Sequence, residues 1–266
     1  MGILNVTADS FSDGGEYLNP EAAVRHGLAL AAAGADLIDV GGESTRPGAL
    51  RADPATELGR VIPVVERLAA AGVAVSVDTM RSEVAVAATE AGAVLINDVS
   101  GGLSDPTMLD AVAALGVHYV AMHWRGHSER MAELAVYGDV VTDVVAELAE
   151  RRDAALRAGI RADRIILDPG LGFAKNAEHN WALLNGLDRL AALGRPLLIG
   201  ASRKRFLGDL LAIGTGPRPV REREDAGVAI TALVAARGVW GVRTHTAAAH
   251  RDAIAVATRL RSVGSG

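Results

Sequence analysis

The sequence predicts an α/β fold of one kind, a single-domain (β/α)8 barrel of the TIM type over residues 1–266. Three observations carry this expectation. Eight short β-rich apolar runs recur along the chain, a stretch with helical periodicity follows each, and a glycine stands where most helices give way to the next strand. Those glycines are Gly34, Gly72, Gly92, Gly116, Gly159, Gly194 and Gly238. Each suits the left-handed residue that ends a helix before the chain turns. An open doubly wound sheet fits less well, because no Gly-x-Gly-x-x-Gly follows the first run and the period persists to the end of the chain.

In chain order the strands are expected at 2–5, 36–40, 73–77, 94–97, 117–122, 164–167, 196–199 and 239–242. The helices are expected at 20–33, 54–71, 82–91, 106–115, 140–158, 177–193, 222–237 and 247–261, with apolar residues recurring at three and four. Three start signals support them: Asn19 before Pro20, Asp53 before Pro54 and Asp105 before Pro106 each read as an N-cap followed by a first-turn proline. The sixth strand shows the pattern most sharply. Ile165-Ile-Leu167 is an apolar run that stops at Asp168, and Pro169, Gly170 and Gly172 keep it from continuing.

In such a barrel the site forms where the strands end, so the candidates can be read directly. They are Asn5, Asp39, Asp78, Asn97 with Asp98, His123, Asp168, Ser202-Arg203-Lys204, and Arg243 with His245. Two scarcities sharpen that set. Of 27 basic residues only Lys175 and Lys204 are lysines, and both fall in strand-end loops. The three phenylalanines, Phe11, Phe173 and Phe206, also lie just past strand ends, where flat rings suit a planar ligand.

Composition narrows the chemistry. A net charge of −5 argues against a general nucleic-acid or membrane-surface binder. The absence of Cys excludes disulfides, thiolate nucleophiles and cysteine metal sites. No secretory leader and no run of 18 apolar residues is evident, so a cytoplasmic protein is expected. Asp78, Asn97 and Asp168 offer in-plane acceptors, and in Asn97 also a donor, of the sort a heterocycle with adjacent N–H groups needs, while Lys204 can donate to a ring carbonyl. Arg243 and His245, near the start of a helix after the eighth strand, suit an anion. Asn5 is a neutral oxygen ligand for an Mg²⁺ held mainly by substrate phosphates.

These motifs resemble the dihydropteroate synthases over essentially the whole chain. The resemblance is carried by Met1-Gly-Ile-Leu-Asn-Val-Thr7, Asp9-Ser-Phe-Ser-Asp-Gly-Gly15, Gly41-Gly-Glu-Ser-Thr-Arg-Pro-Gly48, Ser76-Val-Asp-Thr79, Ile96-Asn-Asp-Val-Ser-Gly-Gly102, Asp168-Pro-Gly-Leu-Gly-Phe-Ala-Lys175, Gly200-Ala-Ser-Arg-Lys-Arg-Phe206 and Arg243-Thr-His245. It implies condensation of 6-hydroxymethyl-7,8-dihydropterin diphosphate with p-aminobenzoate, with Mg²⁺ as cofactor, sulfonamides as competitors and a homodimer as the assembly. It further implies that Asp78, Asn97, Asp168 and Lys204 hold the pterin beside Phe173, and that Asn5 meets Mg²⁺ and pyrophosphate. Arg243 and His245 would bind the diphosphate with Thr45 nearby, Phe11, Arg46 and Pro47 would shape the aminobenzoate site, and Ser12 and Asp13 would lie on the first loop with Asp13 facing a developing pterin cation. Related alternatives are a catalytically silent pterin-binding paralogue and a barrel that passes a methyl group from methyltetrahydrofolate to a corrinoid; Lys204, Arg203, Arg243 and His245 favour the synthase. The chain departs from the family pattern at Ala8, commonly Pro, and at Thr246, commonly Asp. The second departure predicts a less firmly oriented His245, since a carboxylate fixes an imidazole better than a hydroxyl.

Overall fold

The structure, a computed structural model, describes residues 1–7, 19–43, 52–127, 133–212, 214 and 216–264. Strands β1 (Gly2–Asn5), β2 (Ile38–Gly41), β3 (Val75–Asp78), β4 (Leu95–Asp98), β5 (His118–Met122) and β6 (Ile165–Asp168) pair in parallel in chain order, and β7 (Leu198–Ile199) pairs with β8 (Gly241–Val242). Parallel bridges from Leu167 to Leu197 and from Gly2 to Thr244 join the two sets into a closed ring. The expected (β/α)8 barrel is therefore present. Around it lie α1 (Pro20–Ala32), α2 (Pro54–Ala70), α3 (Ser82–Glu90), α4 (Met108–Leu115), α5 (Val140–Arg157), α6 (Ala177–Asn185), α7 (Leu187–Ala191), α8 (Arg205–Leu210), α9 (Glu224–Ala236) and α10 (Ala248–Gly264).

The strands are apolar on both faces because both are covered. Val75, Val77, Ile96, Tyr119, Ile165 and Leu167 point outward into a layer shared with Leu68, Val84, Leu148 and Leu183 of the helices. Leu95, Val120, Ile166 and Leu198 fill the inside of the ring. Burial of each such side chain stabilises by about 1.5–3 kcal/mol, and the inner layer plugs the barrel, leaving only its carboxyl end to form a pocket.

Most of the local start and stop signals hold in the structure. All seven helix-ending glycines have positive φ, and Asn19 and Asp53 accept from the N–H of Glu21 and Thr56 at 2.9 Å. Asp105 is not the cap expected of it. Its Oδ1 takes the Thr107 N–H at 2.9 Å, its Oδ2 takes the Ser82 N–H at the start of α3 at 2.7 Å, and α4 begins only at Met108. The helix expected over 177–193 is two helices, divided at Gly186, which packs so closely that a Cβ there would lie 2.8 Å from Val141 Cγ1. The six-residue α8 has no counterpart in the periodicity, being too short to show one.

Gly170 shows how tightly the strand ends are built. Its φ is +67° and an added Cβ would meet the His123 carbonyl oxygen at 2.4 Å, a backbone atom that cannot swing aside. Gly170→Ala should combine left-handed strain with overpacking, lowering stability by about 2–4 kcal/mol. A denaturant midpoint equal to that of the unsubstituted protein would refute this reading of the turn.

Candidate active site

Strand parity decides which strand-end groups reach the barrel axis. With Val75 and Val77 outward, Ser76 and Asp78 point inward; with Ile165 and Leu167 outward, Asp168 points inward, and the same alternation turns Asn97 in and Asp98 out. Asp98 accordingly leaves the floor expected of it. Its carboxylate accepts from Tyr119 Oη at 2.8 Å and Ser100 Oγ at 2.7 Å, and it braces the turn after β4. His123 leaves it too. It is buried behind the mouth, with Nε2 2.8 Å from Glu147 Oε2 and Nδ1 2.9 Å from Lys175 Nζ.

The hub of the floor is Asp39, a strand-end residue to which the sequence reading gave no role. It is 0% exposed. Its Oδ1 accepts from Ser76 Oγ at 2.6 Å, and its Oδ2 accepts from Asn97 Nδ2 at 3.0 Å and from Arg243 Nε at 2.6 Å. An acceptor in that position fixes which way the Asn97 amide faces. Arg243 reaches further, donating from Nη2 to Asp78 Oδ2 at 2.8 Å, so one guanidinium bridges two carboxylates. Burial opposes its charge, but Asp39 and Asp78 more than offset that and raise its pKa. Asp78 is left in excess. Burial pushes its carboxyl up to about 7, against the pull of Arg243 and with help from Asp39.

Across the floor stand Asp168, Lys204 and Phe173. Asp168 Oδ1 accepts the Gly170 N–H at 2.7 Å, while Oδ2 lies 4.0 Å from the point where a Gly200 Cβ would sit, with Lys204 Nζ 3.9 Å and Arg243 Cβ 3.8 Å from the same point. Gly200 thus leaves open the space beside a carboxylate, an amine and the Arg243 stem. Lys204 Nζ donates to the Leu171 carbonyl and lies 4.9 Å from the centre of the Phe173 ring. Burial lowers its pKa to about 8, with Asp168 pulling the other way and Arg243 reinforcing. Phe173 packs on Met80, Val99 and Met122, whereas Phe206 is a core residue against Trp181, with ring centroids 4.9 Å apart, and lines no ligand space.

The anion side is built from the last two strands. His245 Nδ1 lies 3.0 Å from Ser202 Oγ, and that hydroxyl also accepts the His245 N–H at 3.2 Å. When the Ser202 hydroxyl donates to Nδ1, the ring proton is on Nε2. Among the described residues the ring of His245 is met by the Ser202 hydroxyl and not by Thr246, so its partner is still a hydroxyl rather than a carboxylate. Thr246 Oγ1 instead donates to Glu224, whose other oxygen accepts from Arg203 Nε at 3.1 Å. Asn5, half-buried at the end of β1, has its amide oxygen 3.7 Å from the Cβ position of Gly41, as is Asp78 Oδ2, and the side chain has no hydrogen-bond partner among the described residues. No group of three acidic, His or Cys side chains among the described residues could cage a metal.

Phe11, Ser12, Asp13, Thr45, Arg46, Pro47 and Ala8 lie outside the described residues. The flanks of residues 44–51 are described: Arg81 donates to Glu43 Oε2 and the Ala52 carbonyl, both at 2.6 Å, and also to buried Glu57, which accepts from Thr79 Oγ1 at 2.6 Å. One arginine at the end of β3 ties down both ends of that segment.

Three comparisons place this geometry. A profile described as pterin binding enzyme matches residues 1–245. The dihydropteroate synthase of Mycobacterium leprae (strain TN) is 56% identical over 258 residues, which cover 96% of this chain and 91% of that protein. Among solved structures, the Yersinia pestis dihydropteroate synthase in a sulfonamide drug complex superposes with a TM-score of 0.91 at 41% identity, over 98% of this chain and 94% of that one. The Xanthomonas albilineans enzyme in complex with 7,8-dihydropteroate gives 0.87 at 45% identity, over 98% and 93%.

Proposed function

The chain belongs to the pterin-binding enzyme family, in its dihydropteroate synthase branch, and from that premise we propose how its residues divide the work. It is a transferase that joins 6-hydroxymethyl-7,8-dihydropterin diphosphate to p-aminobenzoate, giving 7,8-dihydropteroate and pyrophosphate, with sulfonamides as competitors. The observation that carries the residue assignment is the floor itself, where inward carboxylates at Asp78 and Asp168 and an oriented amide at Asn97 stand with Arg243, paired to Asp78, and with Lys204 beside the space that Gly200 leaves open.

In this reading Asp168 Oδ2 and Asp78 accept from ring N–H groups, Asn97 pairs in the ring plane, Lys204 donates to the ring carbonyl and Phe173 covers a ring face. The diphosphate lies toward Arg243 and the Nε2–H of His245. As the carbon–oxygen bond to the diphosphate lengthens, negative charge collects on the leaving group and positive charge on the pterin methylene. Arg243 and His245 stabilise the first, and Asp13 faces the second. The arylamine nitrogen then bonds to the methylene and gives up a proton, a step that needs placement more than a strong base. Phe11, Arg46 and Pro47 supply that placement, while Thr45 belongs on the diphosphate side and Ser12 on the first loop with Asp13.

Asn5 fits an Mg²⁺ held chiefly by substrate oxygens, because it offers one half-buried neutral oxygen with no hydrogen-bond partner among the described residues. Such an ion supplies charge neutralisation on the leaving diphosphate. We place the whole reaction within one barrel spanning residues 1–266, in the cytoplasm; among the described residues no helix is long and apolar enough to cross a membrane. A homodimer is supported by the outer face of α9 and α10, where Leu233, Val256 and Leu260 are 66%, 61% and 69% exposed.

The test is direct: pyrophosphate should appear when the pterin diphosphate and p-aminobenzoate are mixed with enzyme and Mg²⁺, and not when either substrate is withheld. Release at the same rate without p-aminobenzoate would contradict the transferase reading.

The raised Asp78 pKa adds a pH prediction. Only the ionised carboxylate accepts twice, so pterin affinity should fall as pH drops through about 7, by at most about tenfold per pH unit. Stability should move the opposite way. Because the folded pKa lies above the ordinary aspartate value of 3.8, the cost of holding the ionised carboxylate is fully present above about 7 and is relieved as pH falls toward 3.8. Calorimetric titration at pH 8 and pH 6 checks the first sign; equal affinities would remove Asp78 from the ring contacts.

A further inference from the structure

Lys175 is one of only two lysines in the chain, sits at the mouth, and has no part in the chemistry above. Its amine lies 2.9 Å from His123 Nδ1 and donates to the Phe173 carbonyl at 3.0 Å. The first contact has a definite polarity. His123 Nε2 faces the carboxylate of Glu147 at 2.8 Å, and a carboxylate only accepts, so Nε2 carries the proton and Nδ1 is an acceptor. Lys175 therefore donates twice, to a ring nitrogen and to a main-chain carbonyl. No carboxylate among the described residues lies within ion-pair distance of it, and Glu147 is already matched by the two-point contact of Arg125.

The carbonyl it holds belongs to the residue that walls the pocket. The Phe173 ring lies over Lys204, and the next residue, Ala174, is in left-handed backbone with φ +48°. Such a conformation in a non-glycine residue persists only where neighbours enforce it. Tyr137 Oη secures the Ala174 carbonyl at 2.9 Å, and Lys175 secures that of Phe173.

We propose that Lys175 is a positioning residue, a hydrogen-bond tie rather than a charge, which pins the Phe173 carbonyl to His123 and so sets the Phe173 ring as one wall of the pterin slot. This rests on the reading that the pterin occupies the floor of Asp78, Asn97 and Asp168. The choice of lysine follows from the surroundings. Lys204 is nearby and answered by Asp168, so a second fixed cation would go uncompensated, and arginine, which this chain prefers elsewhere, cannot shed its charge. Burial, reinforced by Lys204, holds the Lys175 pKa well below that of an ordinary lysine.

The test is a calorimetric pterin titration of Lys175→Met, Lys175→Arg and, as a control, Asp168→Asn, with the p-aminobenzoate KM measured on each. Lys175→Met and Lys175→Arg should both raise the pterin Kd by about five- to tenfold, the scale of one lost hydrogen bond, while the p-aminobenzoate KM stays within about twofold. An arginine variant that binds pterin like the unsubstituted enzyme would show that a permanent cation serves at this position and overturn the proposal that the tie must be uncharged. So would both Lys175 variants leaving Kd unmoved while Asp168→Asn raises it, an outcome that spares the floor. If Asp168→Asn leaves Kd unmoved as well, the floor reading falls and the tie with it. Should the variants not fold, the intact enzyme still decides. With two lysines, side-chain nitrogen-15 labelling gives two lysine amine signals, and a Lys175 amine that stays charged through pH 9 refutes the proposal.

Discussion

Replacing Arg243 by methionine should produce the largest loss of any single change considered. Two effects combine. The buried Asp39 carboxylate loses the guanidinium paired with it and Asp78 loses its bridge, and an uncompensated buried charge costs about 3–5 kcal/mol of stability. Turnover should fall separately by about 10²- to 10³-fold, the scale for removing one donor aimed at developing negative charge. The two effects can be separated by adding Asp39→Asn. Removing the charge at 39 should restore much of the stability of Arg243→Met and none of its turnover. Chemical denaturation and steady-state kinetics on the two proteins check this, and activity that returns together with stability would show Arg243 to be a structural ion-pair member only.

Asp168→Asn should cost pterin affinity about 2–4 kcal/mol, a rise in Kd of roughly 30- to 700-fold. The substitution keeps the shape, and the amide oxygen can still accept from Gly170 N–H. What changes is the group facing the ligand. An acceptor becomes a donor opposite ring N–H groups, and Lys204 loses the carboxylate that sustains its charge. Because Asp168 raises the Lys204 pKa, now lowered by burial to about 8, its removal should drop that value further. Near pH 8 the variant should therefore also lose the charged donor to the ring carbonyl. Calorimetry at pH 7 and pH 8 measures both, and a Kd that does not move takes Asp168 off the floor.

Much of this was legible in the sequence, for identifiable reasons. Strand ends such as Ile165-Ile-Leu-Asp168 announce themselves because an apolar run buried on both faces must stop where a carboxylate appears. Helix ends at Gly34 or Gly159 are equally plain, since left-handed backbone favours glycine. Strand parity already distinguishes neighbours: Asn97 and Asp98 are adjacent, so one must face away from the axis, and Asp39 shares the inward face of β2. What no local pattern can show is pairing across the chain. Arg243 meets Asp39 and Asp78 from 204 and 165 residues away, and Lys175 meets His123 from 52. Ser202, not residue 246, holds His245, because the loops after β7 and β8 lie side by side. Phe206 looked like a ligand-facing ring only because α8 was too short to be seen.

In this enzyme the strand-end floor reads the pterin ring while the cations of the last strand hold the diphosphate. That division is tested most directly by titrating the intact enzyme and Asp168→Asn with two ligands, the 6-hydroxymethyl pterin and its diphosphate. Loss of a ring contact should weaken both ligands by the same factor, leaving the ratio of their affinities unchanged. A variant that binds the bare pterin normally and loses affinity only for the diphosphate would contradict the account.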